Sequence, residues 1–298
     1  MSITTGHPNF SSKVPSVNYH LWEPCNMRCG FCFATFQDVK QEMNLPKGHL
    51  PKEDCISVID RIAEFGFEKI NFAGGEPTLC RWLPDLIARA KEHGMVTSIV
   101  TNGSRITDQW LDALNGSLDW VGLSIDTVDP EKLIDLGRAV GGNIPITETE
   151  YLDIIRAIKQ RGIRLKVNTV VTSVAWQEDF TAFIRLAKPE RWKLLQALAV
   201  KGQNDANIAD FTVTAEQFEA YVQRNRIVED DGIDVVPESN MAMTESYVMI
   251  DPAGRFFDNA QGFYEYSTPI LEGGVEAALK QVSIDPERFR QRGGRYDW

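Results

Sequence analysis

Short apolar runs recur along the first 200 positions, and a longer stretch with helical periodicity follows most of them. Alternation of apolar and polar residues predicts a strand, whereas apolar residues three and four apart predict a helix. The predicted strands are residues 16–22, 69–73, 96–101, 119–125, 164–171 and 192–198. The predicted helices are 52–66, 80–93, 107–115, 148–161 and 176–187, with Gly66, Gly94 and Gly162 placed to end three of them.

Six strand–helix units in succession predict a parallel sheet covered by helices, so we expect an α/β fold with a partial (βα)6 TIM-like barrel. The pattern changes after about residue 200. There it predicts a helix near 214–228, two short strands around a turn at 252–254 and a last helix near 274–291. We therefore divide the chain into an N-terminal segment (1–13), the barrel (14–200) and an α+β C-terminal extension that covers the barrel (201–298).

Composition and charge restrict the possible partners. The chain has 298 residues, of which 43% are hydrophobic, and this is typical of a globular protein. Its net charge of −11 argues against binding to a nucleic-acid polymer. Residues 201–298 carry −9 of that charge, so the remainder can still hold a local basic pocket. No leader peptide or long apolar run is present, and we expect a cytoplasmic protein without membrane attachment.

Three of the five cysteines lie within the eight residues "CNMRCGFC", as Cys25, Cys29 and Cys32. In a reducing compartment such a cluster more often holds metal or performs redox chemistry than forms disulfides. Catalytic zinc keeps three protein ligands, so zinc is an alternative. A 4Fe–4S cluster normally takes four cysteines, and three would leave one iron open to another ligand. Cys55 and Cys80 fall in helical patterns, and we expect both to be buried apolar residues.

The cysteine spacing resembles that of the radical S-adenosylmethionine (SAM) superfamily, in which SAM chelates the fourth iron of a 4Fe–4S cluster. The stretch "NFAGGEP" resembles the GGEP loop of the same superfamily, although alone it could be a tight turn. Polar residues also end the later strands, where barrel enzymes keep their active sites. Ser124 is one of these, and a turn residue is the alternative reading of it. The resemblance implies SAM contacts from Phe31, Gly74, Gly75, Glu76, Thr101, Asn102, Ser124 and Asp126.

Three predicted strands carry pairs of polar residues two positions apart: Lys69 with Asn71, Lys166 with Asn168, and Arg191 with Lys193. Residues two apart in a strand share a face. A solvated face is the usual explanation of such pairs. In a barrel covered by helices the outer face should be apolar, as Leu165, Val167 and Val171 indicate for their strand. The polar pairs would then point inward, and their four cations would suit a polyanion such as a triphosphate.

Segments from residue 14 to the C-terminus, among them "SVNYHLWEPCNMRCGFCFATF", "PERWKLLQALAVKGQN", "VVPESNMAMTESYVMID" and "RGGRY", resemble viperin and its microbial relatives. This resemblance implies a barrel of the radical SAM type. It also implies an antiviral enzyme that dehydrates a nucleoside triphosphate, CTP in the best-known members, to a 3′-deoxy-3′,4′-didehydro chain terminator. Tyr247 matches a proposed proton donor, with a core aromatic as the alternative. The implied nucleotide contacts are Asn18, Lys69, Asn71, Arg138, Lys166, Asn168, Arg191, Lys193, Glu238, Ser239 and Asn240.

Some features leave the substrate and partners open. Ala73 stands where vertebrate members commonly have Ser, and the loop at 239–244 differs, so CTP, UTP and GTP all remain candidates. The resemblance implies an electron donor of the flavodoxin or ferredoxin type and iron–sulfur assembly machinery. Trp298 resembles the aromatic terminus that engages this machinery, and a frayed tail is the alternative. Another radical SAM enzyme acting on a nucleotide, or a non-catalytic nucleotide or cluster sensor, is the alternative function.

Overall fold

Ten strands form one continuous sheet in the part of the chain that the computed structural model describes, residues 14–114 and 116–298. The predicted N-terminal segment 1–13 lies outside the described residues. The barrel begins with β1 Ser16–Trp22, α1 Lys52–Phe65, β2 Lys69–Gly74, α2 Leu83–Glu92, β3 Val96–Thr101, α3 Asp108–Ala113 and β4 Trp120–Ser124. It continues with α4 Pro130–Asp135, the short strands β5 Ala139–Val140 and β6 Ile144–Pro145, α5 Glu148–Gln160, β7 Arg164–Val171, α6 Thr181–Ala187 and β8 Arg191–Gln196.

The centre of the sheet is parallel. Strands β1, β2, β3, β4, β7 and β8 lie side by side in chain order, and each pairs in parallel with the next. These are the six predicted strands, and they confirm the partial TIM-like barrel. Burial along β7 shows the two faces, because Leu165 and Val167 are fully buried while Lys166 and Asn168 are half-buried. The predicted apolar outer face is therefore correct.

The C-terminal extension adds strands to both edges of the barrel sheet. Its elements are α7 Ala215–Asn225, β9 Asp234–Glu238, α8 Asn240–Met243, β10 Met249–Ile250, β11 Arg255–Asp258, β12 Glu265–Pro269, α9 Ile270–Gly273, α10 Val275–Leu279 and α11 Pro286–Gln291. Strand β9 pairs in parallel with β8, and β10 pairs in parallel with β1 at the opposite edge. Glu238, Met243 and Tyr247, which lie in or beside these strands, thereby line the cavity of the barrel.

The structure corrects three predictions about elements. Strand β9 was not predicted, because Pro237 interrupts its apolar run; proline is tolerated there since β9 is the edge strand. The predicted helix 274–291 is two helices, and Asp285 caps the second with Pro286 in its first turn. The predicted helix 176–187 begins only at Thr181.

Other helix ends follow the sequence signals. Gly66 ends α1 with a φ of +110°, a conformation that glycine adopts without strain. Helix α5 begins with a capping box, in which Thr147 and Glu150 each bond the other's backbone N–H. None of the helices within residues 14–114 and 116–298 combines the length and the apolar character that crossing a membrane requires.

Candidate active site

The cysteine loop follows β1 at the carboxyl end of the barrel strands. Its three thiols are free, with Cys25 exposed and the other two half-buried. Burial of the thiol raises the pKa of Cys25 to about 11 and that of Cys29 to about 12. Cys25 and Cys32 each raise the pKa of Cys29 further, whereas the guanidinium of Arg138 lowers it. The three thiols therefore share one electrostatic environment, in which the guanidinium of Arg138 lowers the pKa of each.

Arg138 is held at the cysteine loop by a buried carboxylate. Its Nε and Nη2 atoms lie 2.7 and 2.6 Å from Oδ2 of Asp126, whose Oδ1 accepts a bond from the backbone N–H of Val170. The guanidinium also lies 5.4 Å from the ring centre of Phe31. Arg138 does not line the barrel cavity, and its predicted nucleotide contact stays a prediction. Both oxygens of Asp126 are bonded within the protein, one to Arg138 and the other to the backbone N–H of Val170.

The two glycines of the GGEP loop allow it to lie directly against the end of β1. A Cβ atom on Gly74 would come 2.3 Å from the carbonyl oxygen of Trp22, and one on Gly75 would come 2.2 Å from that of Glu23. The backbone N–H of Gly75 bonds Trp22, and that of Glu76 bonds the carbonyl of Pro24 at 2.9 Å. The close approach that the glycines permit is thus to the backbone that leads into the cysteine loop.

Glu76 is fully buried, and its carboxylate is occupied by bonds within the protein. Oε1 accepts from the backbone and hydroxyl of Thr78 and from the hydroxyl of Thr101, while Oε2 accepts from the backbone N–H of Asn102. Burial raises the pKa of Glu76, although these bonds favour the carboxylate. Glu76 therefore ties the GGEP loop to the end of β3.

Asn26 is a residue of this region that sequence analysis missed. Its side-chain oxygen accepts a bond from Asn102 at 2.9 Å, and its amide donates to Ser104 at 2.8 Å. Asn26 lies between the first two cysteines, so this contact fixes the cysteine loop to β3. Its position inside the motif was the available signal. Ser124 ends β4 in register with Asn168, as its predicted place at a strand end requires.

A cavity lies inside the barrel, and the polar pairs of the strands line it. Asn18 and Asn71 are cross-strand neighbours joined by a hydrogen bond of 3.0 Å. Lys166 stands opposite Arg191, and Asn168 stands opposite Lys193. Of the predicted nucleotide contacts, those that line the cavity are Asn18, Lys69, Asn71, Lys166, Asn168, Arg191, Lys193 and Glu238. Tyr247 lines it too.

The cations of the cavity differ in their partners. Lys193 and Arg191 lie 2.7 Å from Glu238 and 3.3 Å from Asp234, respectively. Lys69 and Lys166 are paired with no carboxylate among the described residues; both donate to the hydroxyl of Tyr296. Burial lowers the pKa of Lys69 to about 7, and burial together with Lys69 lowers that of Lys166 strongly. Two buried amines at this point of the cavity therefore lack a negative charge.

A second cluster surrounds Glu238 at the carboxyl end of β9. Burial alone would raise the pKa of Glu238, but Lys193 and Arg292 lower it overall. Tyr247 donates to this carboxylate and accepts a bond of 2.6 Å from Lys193. The guanidinium of Arg292 lies 3.6 Å from the centre of the Tyr247 ring. Tyr247 is thus part of a charged network, and burial raises its pKa.

Ser239 and Asn240 do not line the cavity, and their predicted nucleotide contacts stay predictions. Ser239 caps the short helix α8, where its hydroxyl accepts the backbone N–H of Ala242. The backbone N–H of Asn240 bonds the side chain of Gln196 at 3.0 Å. The polar groups of both residues thus form hydrogen bonds that stabilise the turn after β9. No signal in the sequence indicated these bonds.

Residues 292–298, here called the tail, reach the amino ends of the barrel strands. Arg292, Gly293, Gly294 and Tyr296 line the cavity, and sequence analysis did not assign any of them to the site. Trp298, expected to be either a partner contact or a frayed end, lies with its ring centre 5.1 Å from Nζ of Lys69. The motif "RGGRY" was the available signal, but it carried no information about where the tail lies.

Comparison with known proteins identifies the family. The model of the Radical SAM superfamily matches residues 21–187. An S-adenosylmethionine-dependent nucleotide dehydratase of Lacinutrix mariniflava is 53% identical over 97% of this chain, which spans 60% of that protein. One of the same name from Flammeovirga pacifica is 47% identical over 96% of both chains. The chain belongs to the radical SAM nucleotide dehydratases. The resemblance to viperin is thereby confirmed.

A solved structure supports the fold of this dehydratase family member. The structure of anSMEcpe with bound AdoMet and the Kp18Cys peptide covers 93% of this chain with a TM-score of 0.68, and this chain covers 82% of it. The sequences are 14% identical, so the likeness concerns the fold alone.

A 4Fe–4S cluster and SAM are the cofactors of this family, and the cysteine loop fits the cluster. Three free thiols lie in one electrostatic environment at the carboxyl ends of the strands, and a 4Fe–4S cluster held by three cysteines would have one iron without a protein ligand. Among the described residues, no three His, Cys, Asp or Glu side chains are grouped to hold one metal ion. A 4Fe–4S cluster makes a different demand, because each cysteine binds its own iron atom. Cys25, Cys29 and Cys32 would hold the cluster as thiolates.

Proposed function

We propose that the protein dehydrates a nucleoside triphosphate, CTP in the first place, to its 3′-deoxy-3′,4′-didehydro analogue, an antiviral chain terminator. The observation that carries the proposal is the pair Lys69 and Lys166, two buried amines that no carboxylate partners within the described residues. Burying unpaired positive charge is costly unless an anion completes the site. A phosphate chain is an anion with enough charge to do so.

The direction of the strands supports an orientation for the nucleotide. Lys69 and Arg191 are the first residues of β2 and β8, whereas the GGEP loop and the cysteine loop lie at the carboxyl ends. Lys69 and Gly74 are the ends of a strand with a rise of ~17 Å. If the phosphates bind at the amino ends of the strands, the ribose lies farther along the cavity. It is then between the Asn18–Asn71 pair on one side and the cysteine loop on the other.

The proposed division of labour follows from this orientation. Cys25, Cys29 and Cys32 would hold the cluster, and the cluster together with SAM would supply the radical chemistry that removes the 4′ hydrogen of the ribose. The cations hold the substrate far from the reacting carbon, so that its ribose stays in place during the reaction. Loss of the 3′-hydroxyl as water needs a proton, and completing the alkene needs one more electron. Tyr247 is protonated at neutral pH and is bonded to Lys193 and Glu238, so it can deliver that proton.

The names of the relatives support the reaction class, while CTP as the first candidate comes from the resemblance to viperin. Ala73 lines the cavity and stands in register with His20, near the level where the ribose and base would lie. An alanine offers no hydrogen bond to a base edge. Ala73 therefore does not separate the bases, and we keep CTP as the first candidate and UTP and GTP as the next.

Anaerobic incubation of the reconstituted protein with SAM, dithionite and each NTP tests the proposal. We expect 5′-deoxyadenosine together with a product that has lost one water from one preferred NTP. Slow SAM cleavage that no NTP accelerates would contradict the proposal and favour a sensor. Heating the same preparation with a nucleotide excess provides a second measure, because bound ligand raises the melting temperature.

We also propose which proteins supply electrons to the enzyme and load its cluster. A flavodoxin or ferredoxin would deliver the two electrons, and iron–sulfur assembly machinery would load the cluster. Replacement of dithionite by a purified flavodoxin system should support turnover. If neither a flavodoxin nor a ferredoxin replaces dithionite, the donor belongs to another class.

A further inference from the structure

Two different parts of the chain hold the cysteine loop. Residues 26–30 lie against the barrel, where the backbone N–H of Arg28 donates to the carbonyl of Gly137 at 3.1 Å. The next segment, residues 31–36, contains Cys32 and bonds side chains of the C-terminal extension. The position of Cys32 therefore depends on contacts that come from more than 150 residues further along the chain.

Asn204 is a buried residue of the extension that holds the peptide before Cys32. Its side-chain amide donates to the carbonyl of Phe31 at 3.1 Å, and its other polar contacts bond the backbone of residues 198–200. The peptide that carries the Phe31 carbonyl also carries the backbone N–H of Cys32. That N–H donates to the carbonyl of Cys29 at 3.1 Å. Asn204 thus fixes the turn that sets the spacing of the last two cysteines.

Tyr264 holds the chain on the other side of Cys32. Its hydroxyl donates to the carbonyl of Phe33 at 3.1 Å, and the side chain is buried. The peptide that carries this carbonyl also carries the backbone N–H of Ala34. Burial raises the pKa of the Cys32 thiol, whereas interaction with the N–H of Ala34 lowers it. The bond from Tyr264 orients this peptide and makes its N–H a stronger donor, because hydrogen-bonded groups polarise one another.

We propose that Asn204 and Tyr264 are positioning residues of the iron–sulfur centre, which place Cys32 and the N–H beside its sulfur for the iron atom that this cysteine binds. The C-terminal extension then takes part in the cluster site as well as covering the barrel. An N–H directed at a cysteine sulfur stabilises the additional negative charge of the reduced cluster. Loss of either contact should make the cluster harder to reduce. The inference concerns the cluster and is independent of the nucleotide.

The midpoint potential of the cluster in the reconstituted full-length protein tests the inference. Tyr264→Phe keeps the ring and removes one hydroxyl. We expect it to retain its iron and to be about threefold less easily reduced, a decrease of about 30 mV at about 59 mV per tenfold change. Redox titration followed by electron paramagnetic resonance, without SAM or nucleotide, measures this. The matched control is Tyr266→Phe, whose hydroxyl bonds Asp38 at 3.3 Å and whose loss should leave the potential unchanged.

Alkylation of the cluster-free full-length chain, resolved by residue with mass spectrometry, is a second measurement that needs no bound iron. In Tyr264→Phe we expect Cys32 to be labelled about threefold faster than in the wild type, as the loss of one hydrogen bond suggests. Cys25 and Cys29 should keep their rates, because the barrel still holds their part of the loop.

Asn204→Asp, which replaces the donor amide with a carboxylate, should accelerate the labelling of Cys32 in the same way. Asn207→Asp introduces the same charge at an exposed residue and is the control. Equal acceleration at all three cysteines would indicate a general loosening and would overturn the inference. So would an equal change of potential in Tyr266→Phe, or a potential and a Cys32 rate that Tyr264→Phe leaves unchanged. If Tyr264→Phe bound no iron, faster labelling confined to Cys32 would still support it.

Discussion

Tyr247 combines two properties that its sequence position left undecided. It is an aromatic residue just before β10, and it lines the cavity with its hydroxyl bonded to Glu238 and Lys193. A core aromatic would have no such partners. The residues around it carry both charge signs, so the hydroxyl can release a proton and recover one from its neighbours. These contacts favour the proton-donor hypothesis.

We expect Tyr247→Phe to lower product formation roughly 100-fold, because a positioned acid contributes on this scale. Nucleotide-dependent formation of 5′-deoxyadenosine should continue, since the radical step does not need the hydroxyl. Quantifying both compounds in one reaction measures the ratio. The control is Tyr266→Phe, which removes a hydroxyl that bonds Asp38 outside the cavity and should leave this ratio unchanged. A normal product yield from Tyr247→Phe would rule out the proton-donor role.

Lys69 illustrates a conflict between binding and stability at a single residue. Burial lowers the pKa of its amine, and the nearby charges of Arg191 and Lys193 lower that pKa further. This burial of positive charge is unfavourable in the absence of an anion. In the proposed function the same charge is required to bind the phosphates of the nucleotide.

Replacement of Lys69 by Met should therefore stabilise the nucleotide-free protein by roughly 1–3 kcal/mol. This is less than the full free energy that corresponds to the lowered pKa of Lys69 at about 1.36 kcal/mol per pKa unit. The same change should greatly weaken NTP binding. Denaturant unfolding and titration calorimetry measure the two effects. Lys280→Met, at an exposed residue, is the control and should alter neither. Loss of stability in Lys69→Met would show that the amine is compensated within the fold.

At the scale of elements, the ends of β1, β2 and β3 are joined into one unit. The GGEP loop lies on the backbone after β1, Glu76 bonds the end of β3, and Asn26 bonds Asn102. The cysteine loop is therefore held from two sides. Its geometry depends on the neighbouring loops as much as on its own sequence.

The substitution Gly75→Ala should disturb this unit through contact alone, because Gly75 has no positive φ. A Cβ would overlap the carbonyl of Glu23, and we expect a loss of roughly 1–3 kcal/mol in stability together with a lower iron content. Gly162→Ala is the matched control: its φ of +70° is strained, but its Cβ would meet nothing. It should cost about 1 kcal/mol and retain normal iron content. Full iron loading of Gly75→Ala would contradict the proposed packing.

At the scale of the whole molecule, charge is separated between the surface and the cavity. The net charge is −11, yet the cavity holds Lys69, Lys166, Arg191, Lys193 and Arg292. Glu238 and Asp234 balance only part of this set. An acidic protein thus contains a basic interior, which suits a small polyanion.

The pH dependence of stability should report this interior. Lys69 has a pKa of about 7 in the folded protein and an ordinary value of 10.5, so the unfolded chain binds more protons between these values. Stability of the nucleotide-free protein should therefore rise as pH increases from about 7 to about 10, and fall as pH decreases through the same window.

Nucleotide binding should show the opposite trend. An anion favours the protonated amine, so NTP affinity should decrease above about pH 7 and binding should take up a proton. Calorimetry in buffers of different ionisation enthalpy measures that uptake. Lys69→Met should reduce both trends. Affinity that increases between pH 7 and 9 would contradict this account.

The sequence by itself determined the six strands, the cysteine motif and the inward polar pairs. These follow from local rules: a period of two along a strand, glycine at helix ends, and ligand spacing within one loop. The alternation in β7 therefore predicted correctly that Lys166 and Asn168 face the cavity.

Only the tertiary structure decided which residues meet from distant parts of the chain. It turned Arg138 toward Asp126 and the cysteines, placed β9 beside β8 despite Pro237, and brought Tyr296 between Lys69 and Lys166. Periodicity assigns a side chain to a face, but it does not assign its partner. A contact between residues more than 100 positions apart depends on the packing of the whole chain. The local sequence around each residue does not specify it, because that local sequence is compatible with many different partners.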